Sequence, residues 1–376
     1  VRLVLVTQDF PPRRGGIQTY ALELARRFAE RLPAFAVIAP KAEGSDAVDR
    51  ELAFRVLRAG SSDTLIAASA PLLAELTLKD GFDRSLHAQW STLPAALALR
   101  AAQRLRFVAV AAHGRELLLA PWRTAPLAQR AYDAARRHAL GSADRVLANS
   151  AYTAALARDL GVRDERVRVT GCGTDPARFR PLDASALRER LGLGGRPVLI
   201  TIARLVLRKG VDSVLRALPH VRRAAPDVAY VVVGDGPERE RLASLARELG
   251  LENAVHFAGA VSDAELPLWY SLANVFVMPA RSEPPDVEGF GIVFLEAGAC
   301  ERPVVALRAG GVPDAVADGT SGLLVTPGDL DELATKILAL LLDPARAAEF
   351  GRRGRERVLS ELNWNAVTDR TLAALE

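Results

Sequence analysis

Short runs of Val, Ile, Leu and Ala alternate along this chain with longer stretches in which apolar positions recur at three- and four-residue spacing. Apolar runs of four to six residues have the character of strands buried on both faces, and the longer periodic stretches that of helices covering them. The pattern predicts strands over 1–6, 35–39, 52–57, 85–88, 107–111 and 145–148, with a helix over 17–31 after the first. Further along it predicts strands over 198–202, 255–261, 273–278 and 322–325, and one over 230–236 that ends in a glycine turn. Helices are expected over 127–140, 184–191, 238–249 and 292–300. Such alternation favours parallel, doubly wound sheets over antiparallel ones.

A chain of 376 residues with 49% hydrophobic content is too long for one average domain and long enough for two α/β cores. The stretch 167–181, V-R-V-T-G-C-G-T-D-P-A-R-F-R-P, is rich in glycine and proline. It marks the boundary between a first domain, 1–176, and a second, 177–361, followed by a short amphipathic segment over 362–376. Charge is uneven: residues 1–175 hold 25 Lys and Arg against 18 Asp and Glu, whereas the remainder is slightly acidic. A basic first half tilts toward an anionic or membrane-borne partner. Cys172 and Cys300 lie in different halves, so the simple reading is two structural thiols in a reducing cytosol. The opening apolar run is cut by Gln8, Asp9 and two prolines, and no run of 18 apolar residues exists, so the expectation is a soluble or peripheral protein.

The richest stretch is 281–296, R-S-E-P-P-D-V-E-G-F-G-I-V-F-L-E. A strand, a loop with prolines and glycines, and a helix start follow one another here. Gly289 and Gly291 let a ligand approach the backbone, and the first amides of the helix are unpaired donors suited to anionic oxygens. Glu288 and Glu296 are poor phosphate ligands but good acceptors for hydroxyl protons. Together these ask for a molecule that is both phosphate and polyol, such as a nucleotide sugar. The plainer reading of the two carboxylates is solvated charge.

Three other places carry chemistry. Gly15 and Gly16 sit where the first strand hands over to a helix, at the sheet edge where ligands bind in open α/β folds. His113 ends the strand F-V-A-V-A-A. Arg204 and Lys209 share one strand-to-helix loop, A-R-L-V-L-R-K-G, so both could converge on one pyrophosphate. His87 and Trp90 could line a cleft, though core packing suits them better. The helix over 127–140 is basic and amphipathic, with Pro121, Trp122 and Arg123 just before it; such a face is either solvated or laid on an anionic membrane. Asp329-Leu330-Asp331 has the letters of a metal motif, but its place at a helix start makes it a cap. Ser150 reads as a cap too, and so do Ser262 and Asp263.

Glu288 and Glu296 enclose seven residues, and this spacing, filled with G-F-G-I-V-F-L, resembles the E-x7-E signature of the retaining glycosyltransferases of family 4, which have a GT-B fold. The segments G-G-I, A-H-G-R-E, A-N-S and R…K-G are similar to further motifs of that family; Gly173-Thr174-Asp175 departs mildly from its usual G-V-D. The wording is nearest to the mannosyltransferase-like, phosphatidylinositol-mannoside branch. The resemblance implies two Rossmann-like domains facing across a cleft, the tail 362–376 crossing back, the acceptor on the first domain and the donor on the second. It implies retaining hexosyl transfer from GDP-mannose or a UDP-hexose to a hydroxyl on a lipid, glycan or small metabolite, with no metal, no cofactor and no nucleic-acid partner. It also implies a cytoplasmic protein, peripheral at the inner face of the membrane where its acceptor is a lipid.

The roles implied are these. Arg204 and Lys209, with the amides around Phe290, Ile292 and Val293, neutralise the departing diphosphate. Glu288 and His113 hold the sugar, Glu296 the ribose, and Gly15 and Gly16 close on the distal phosphate. Gly234 and Gly236 sit beside the nucleotide, and Val261 lies in the loop that reads the base. The remaining alternatives are a sugar-nucleotide epimerase or a non-transferring sensor of the same fold; a phosphorylase needs a pyridoxal lysine, and none of Lys41, Lys79, Lys209 and Lys336 has a matching setting. A nicotinamide-binding oxidoreductase fits less well, because G-D-G-P-E-R lacks the third glycine of its fingerprint.

Overall fold

The computed structural model describes residues 1–376 except Arg14, Trp122, Arg123 and Ser282, so part of the loop before the basic helix lies outside the described residues. The chain divides into two compact units, one of Val1–Cys172 with Trp364–Glu376 and one of Gly173–Asn363. The first division falls inside the glycine- and proline-rich stretch 167–181.

In the first unit the strands are β1 (Arg2–Val6), β2 (Ala34–Ala39), β3 (Arg55–Arg58), β4 (Arg84–His87), β5 (Phe107–Ala112), β6 (Arg145–Ala148) and β7 (Val167–Val169). They form one sheet in the order β3-β2-β1-β4-β5-β6-β7, with every neighbouring pair parallel. The second unit holds β8 (Val198–Ile202), β9 (Ala229–Val233), β10 (Val255–Gly259), β11 (Val275–Met278), β12 (Val304–Leu307) and β13 (Gly322–Val325). Its order is β10-β9-β8-β11-β12-β13, again parallel throughout. The apolar runs are buried because helices cover both faces; β8 and β9 are buried at every position.

In each sheet the strand order reverses once, between β1 and β4 and between β8 and β11. The connections on either side of such a point leave in opposite directions and open a crevice at the carboxyl ends of the two strands. Residues 7–16 and 88–92 flank the first crevice, and residues 203–210 and 279–291 the second.

Three expectations need correction. β3 begins at Arg55 rather than at Leu52, because Glu51 and Leu52 finish the turn after the helix Ser45–Arg50; as a half-buried edge strand its start is weakly set by burial. Residues 167–169, expected in the boundary loop, pair with β6 as the far edge of the first sheet. Ser262 and Asp263 do not cap the helix Leu266–Leu272. Instead the Ser262 amide and hydroxyl donate to Glu265 Oε2 at 3.2 and 2.6 Å, and the helix begins after Glu265. Ser150 and Asp329 do cap, accepting from the Thr153 and Glu332 amides at 3.1 and 2.7 Å. β12 went unrecognised, a four-residue V-V-A-L run directly after Arg302-Pro303.

His87 is a core residue, fully buried and bonded to Thr92 Oγ1 at 2.8 Å and Ser85 Oγ at 3.1 Å. Burial pushes its imidazole down to about 3, so it stays neutral. Trp90 packs on Tyr132 with ring centroids 5.2 Å apart. Both cysteines are buried and neither is in a disulfide, and burial pushes the Cys300 thiol up to about 12.

The C-terminal helix Trp364–Ala374 belongs to the first unit. Trp364 is buried and meets Tyr20 edge-on at 6.1 Å between centroids, and Arg370 donates to the Thr170 carbonyl at 2.9 Å. Truncating Trp364 to Ala is expected to lower unfolding stability by about 3–5 kcal/mol, seen as a lower midpoint in urea. Wild-type stability in that variant would show that the helix is not part of the first unit's core.

Candidate active site

The second crevice is built from two loops. After β8 the chain turns through Arg204 and a single 3-10 turn, Leu207–Lys209, before the helix Val211–Ala224. After β11 it runs to Gly291 and the helix Ile292–Ala299. The loops are tied together by backbone, since the Arg281 amide donates to the Arg208 carbonyl at 2.7 Å.

The side chains complete the tie. Lys209 Nζ donates to Glu288 Oε2 at 2.6 Å, and Arg208 Nη1 donates to the same oxygen. The Lys209 and Glu288 side chains are only 13% and 12% exposed. Burial alone would push the Glu288 carboxyl up, but the charges and hydrogen bonds of Lys209 and Arg208 outweigh it and hold the group below the usual carboxylate range. Arg204 is exposed and, among the described residues, makes no ion pair. The structure thus pairs Lys209 and Arg208 with Glu288, an ion cluster that the sequence did not disclose, and among the described residues it shows no ion pair for Arg204.

Gly291 has φ +91°, and a Cβ there would run into the Phe294 ring. That conformation starts the helix Ile292–Ala299 with no side-chain cap. The amides of Ile292 and Val293 have no acceptor among the described residues. They stand at the positive end of the helix dipole, beside the buried Gly289 and Phe290.

Glu296 lies one turn further on and is occupied differently. Tyr270, fully buried, donates its hydroxyl to Glu296 Oε2 at 2.6 Å. Burial raises the Glu296 carboxyl above its ordinary range, with the Tyr270 bond and Arg178 opposing. The two glutamates of one motif thus have opposite electrostatic settings.

Gly234 and Gly236 have a structural role that their letters did not disclose. Gly234 has φ +125°, and a Cβ on it would drive into the Ala203 carbonyl oxygen; one on Gly236 would meet the Leu205 backbone. Between them the Asp235 carbonyl accepts from the Leu205 amide at 2.8 Å. The G-D-G loop is a mould for the loop that carries Arg204. Val261 is half-buried two residues past β10.

In the first unit, Gly15 and Gly16 open the helix Gly16–Arg31, and a Cβ on Gly16 would meet nothing within 4 Å. His113 follows β5; its amide donates to Glu116 Oε1 at 2.6 Å and its ring meets Tyr20 edge-on at 4.9 Å. Burial lowers the imidazole pKa despite Glu116, the Ala88 carbonyl and Asp9, and Nε2 is buried without a partner among the described residues. A neutral ring with one orphaned nitrogen is set to bond a ligand hydroxyl. Asp9 was not foreseen. Gln18 Nε2 and Gln89 Nε2 donate to its two oxygens, each at 2.8 Å, across the β1/β4 crevice. The only hint was its position just past the first strand.

A family profile described as Glycosyltransferase Family 4 matches residues 14–178, and one described as Glycosyl transferases group 1 matches residues 183–357. A GDP-mannose-dependent alpha-(1-6)-phosphatidylinositol monomannoside mannosyltransferase of Mycolicibacterium smegmatis is 39% identical over 96% of this chain and 95% of its own. The protein of the same name from Mycobacterium tuberculosis CDC 1551 is 37% identical over 97% and 96%. Among solved structures, HepE of Anabaena in complex with UDP superposes with a TM-score of 0.83 at 22% identity, covering 100% of this chain and 99% of that one. The architecture is the two-domain α/β GT-B fold. The chain belongs to glycosyltransferase family 4, and it is a hexosyltransferase that uses a nucleotide sugar.

The two glutamates make opposite pH predictions. The Glu288 pKa is lowered on folding, so its stabilisation is present above the ordinary value of 4.5 and is lost as pH falls through the folded value. The Glu296 pKa is raised, so its ionisation erodes stability as pH rises from 4.5 through the folded value. On going from acidic to neutral pH, urea midpoints of Glu288→Gln should fall increasingly behind wild type, whereas those of Glu296→Gln should gain on it. Parallel curves for the two variants would contradict these assignments.

Proposed function

We propose that this enzyme transfers mannose from GDP-mannose, with retained anomeric configuration and no metal ion, to a hydroxyl of a lipid-borne inositol mannoside. The observation that carries this reading is the near-full-length likeness to two enzymes whose names state that donor and that acceptor class. The site supports it chemically. Lys209, Arg204 and the Ile292 and Val293 amides supply positive potential for a leaving diphosphate, the service a divalent cation renders elsewhere. Glu288 would hold sugar hydroxyls, and His113 would accept or donate one more through Nε2. Glu296, with Tyr270 behind it, would take the ribose hydroxyls. Gly15 and Gly16 would admit the distal phosphate to the backbone, and the loop at Val261 the base.

In this scheme the bond from the anomeric carbon to the diphosphate oxygen breaks as the acceptor oxygen bonds to the same face. The acceptor proton passes to the leaving phosphate oxygen, so no side-chain nucleophile is needed. A covalent glycosyl-enzyme trapped on a side chain would overturn that step.

A lipid acceptor calls the protein to a membrane surface from the cytoplasmic side. Among the described residues no helix is long and apolar enough to cross a membrane. The helix Pro126–Ser142 instead exposes Leu127, Arg130 and Arg137, a face suited to anionic headgroups. Arg136 is excluded from that face. It is buried and donates to the Leu119 carbonyl and to Asp133 at 2.9 and 2.7 Å.

The test is a thermal-shift screen against GDP, UDP and ADP, followed by turnover of GDP-mannose with a phosphatidylinositol monomannoside in EDTA. GDP should give the largest shift, and the product should carry a new α-mannosyl linkage. A shift with UDP alone would move the donor to a UDP-hexose. Loss of turnover in EDTA would overturn metal independence.

A further inference from the structure

Glu288 faces two cations through a single oxygen, and one of those cations is needed elsewhere. We propose that Arg208 is a positioning residue: it stays on the Glu288 carboxylate when Lys209 turns to the donor diphosphate, and so keeps Glu288 ionised and aimed at the sugar during transfer. This rests on the donor reading above.

The argument starts from charge. In the crevice as it stands, one buried carboxylate is shared by an ammonium and a guanidinium. A nucleotide sugar brings two negative charges, and Lys209 is the cation of this pair assigned to them. Without Arg208, the carboxylate would then be left buried and unpaired beside an anionic diphosphate. Such a group takes up a proton or moves toward water, and either change replaces an acceptor of sugar hydroxyl protons with something else.

No other charged group is in place to prevent this. Among the described residues, Lys209 and Arg208 are the charged side chains that act on Glu288. Arg204 makes no ion pair. The backbone of Glu288 is fixed separately, its main-chain carbonyl accepting the Gly311 amide at 2.9 Å.

Arg208 is also held in place to do this. Its carbonyl accepts the Arg281 amide, which fixes the 3-10 turn to the loop that carries Glu288. Gly210, just beyond, packs so closely on the Pro279 carbonyl that a Cβ would collide with it. The turn is thus pinned on both sides of Lys209, and the two neighbouring cations can divide their tasks without the backbone moving. A guanidinium suits the resident role because it carries several donors in one plane and stays charged when desolvated.

The experiment compares wild type, Arg208→Gln and Arg208→Lys as full chains. The readouts are the pH dependence of kcat/KM for transfer from GDP-mannose, inhibition by GDP, and the carboxyl titration of Glu288 followed by carbon NMR in GDP-saturated protein. Arg208→Gln should lower kcat on the order of 10-fold to 100-fold. Its acidic limb and its Glu288 titration should both move up by about one pH unit. GDP inhibition should stay within about 2-fold of wild type, and Arg208→Lys should recover most of the loss. Weakened GDP inhibition with an unmoved acidic limb would overturn the proposal and make Arg208 a diphosphate ligand. Unchanged kcat and an unchanged titration would overturn it as well, leaving an inert ion pair. If wild type turns over no nucleotide sugar at all, the functional reading fails; the Glu288 titration in the nucleotide-bound variants still decides the positioning role.

Discussion

One buried carboxylate held by two cations organises the second unit. Glu288 comes from the loop after β11 and its partners from the loop after β8, so the ion cluster spans the place where the strand order reverses. Burying that carboxylate unpaired would cost far more than the pairing returns in water, which makes the cluster a constraint on how the two loops are placed. The other features follow from it. The backbone bond from Arg281 to Arg208 closes the loops together, and Gly291, close to the Glu288 side chain, bends the chain into the helix Ile292–Ala299.

The first unit solves a similar problem with less charge. At its own reversal point Asp9 accepts from two glutamine amides, and burial raises its pKa against the opposing effects of His113, Arg13 and Gln89. His113, neutral and with an orphaned nitrogen, stands after the next strand.

Most of the fold was legible because its strands are apolar runs buried on both faces. β8 and β13 were foreseen to the residue, while the half-covered edge strand β3 was displaced, because an edge imposes no strict pattern. Within the site, Lys209, Glu288 and Gly291 could be picked out because a loop between a buried strand and a helix has few reasons to hold them. Arg208 could not. In L-R-K-G two adjacent cations look alike, and only the 3-10 turn lets both reach one oxygen. Tyr270 was hidden for another reason, since its place in an apolar helix gave no sign that a hydroxyl would meet Glu296 26 residues later. The glycines of G-D-G were noticed for their place beside a nucleotide, and their close packing on the backbone of the preceding loop left no separate mark in the letters.

The helix Trp364–Ala374 completes the first unit although the whole of the second is encoded before it. During synthesis, residues 1–172 leave the ribosome before Trp364, one of the rings that pack on Tyr20, has been made. The second unit can therefore fold while the first still lacks one of its helices, an order of assembly set by the way the chain is threaded through its two units.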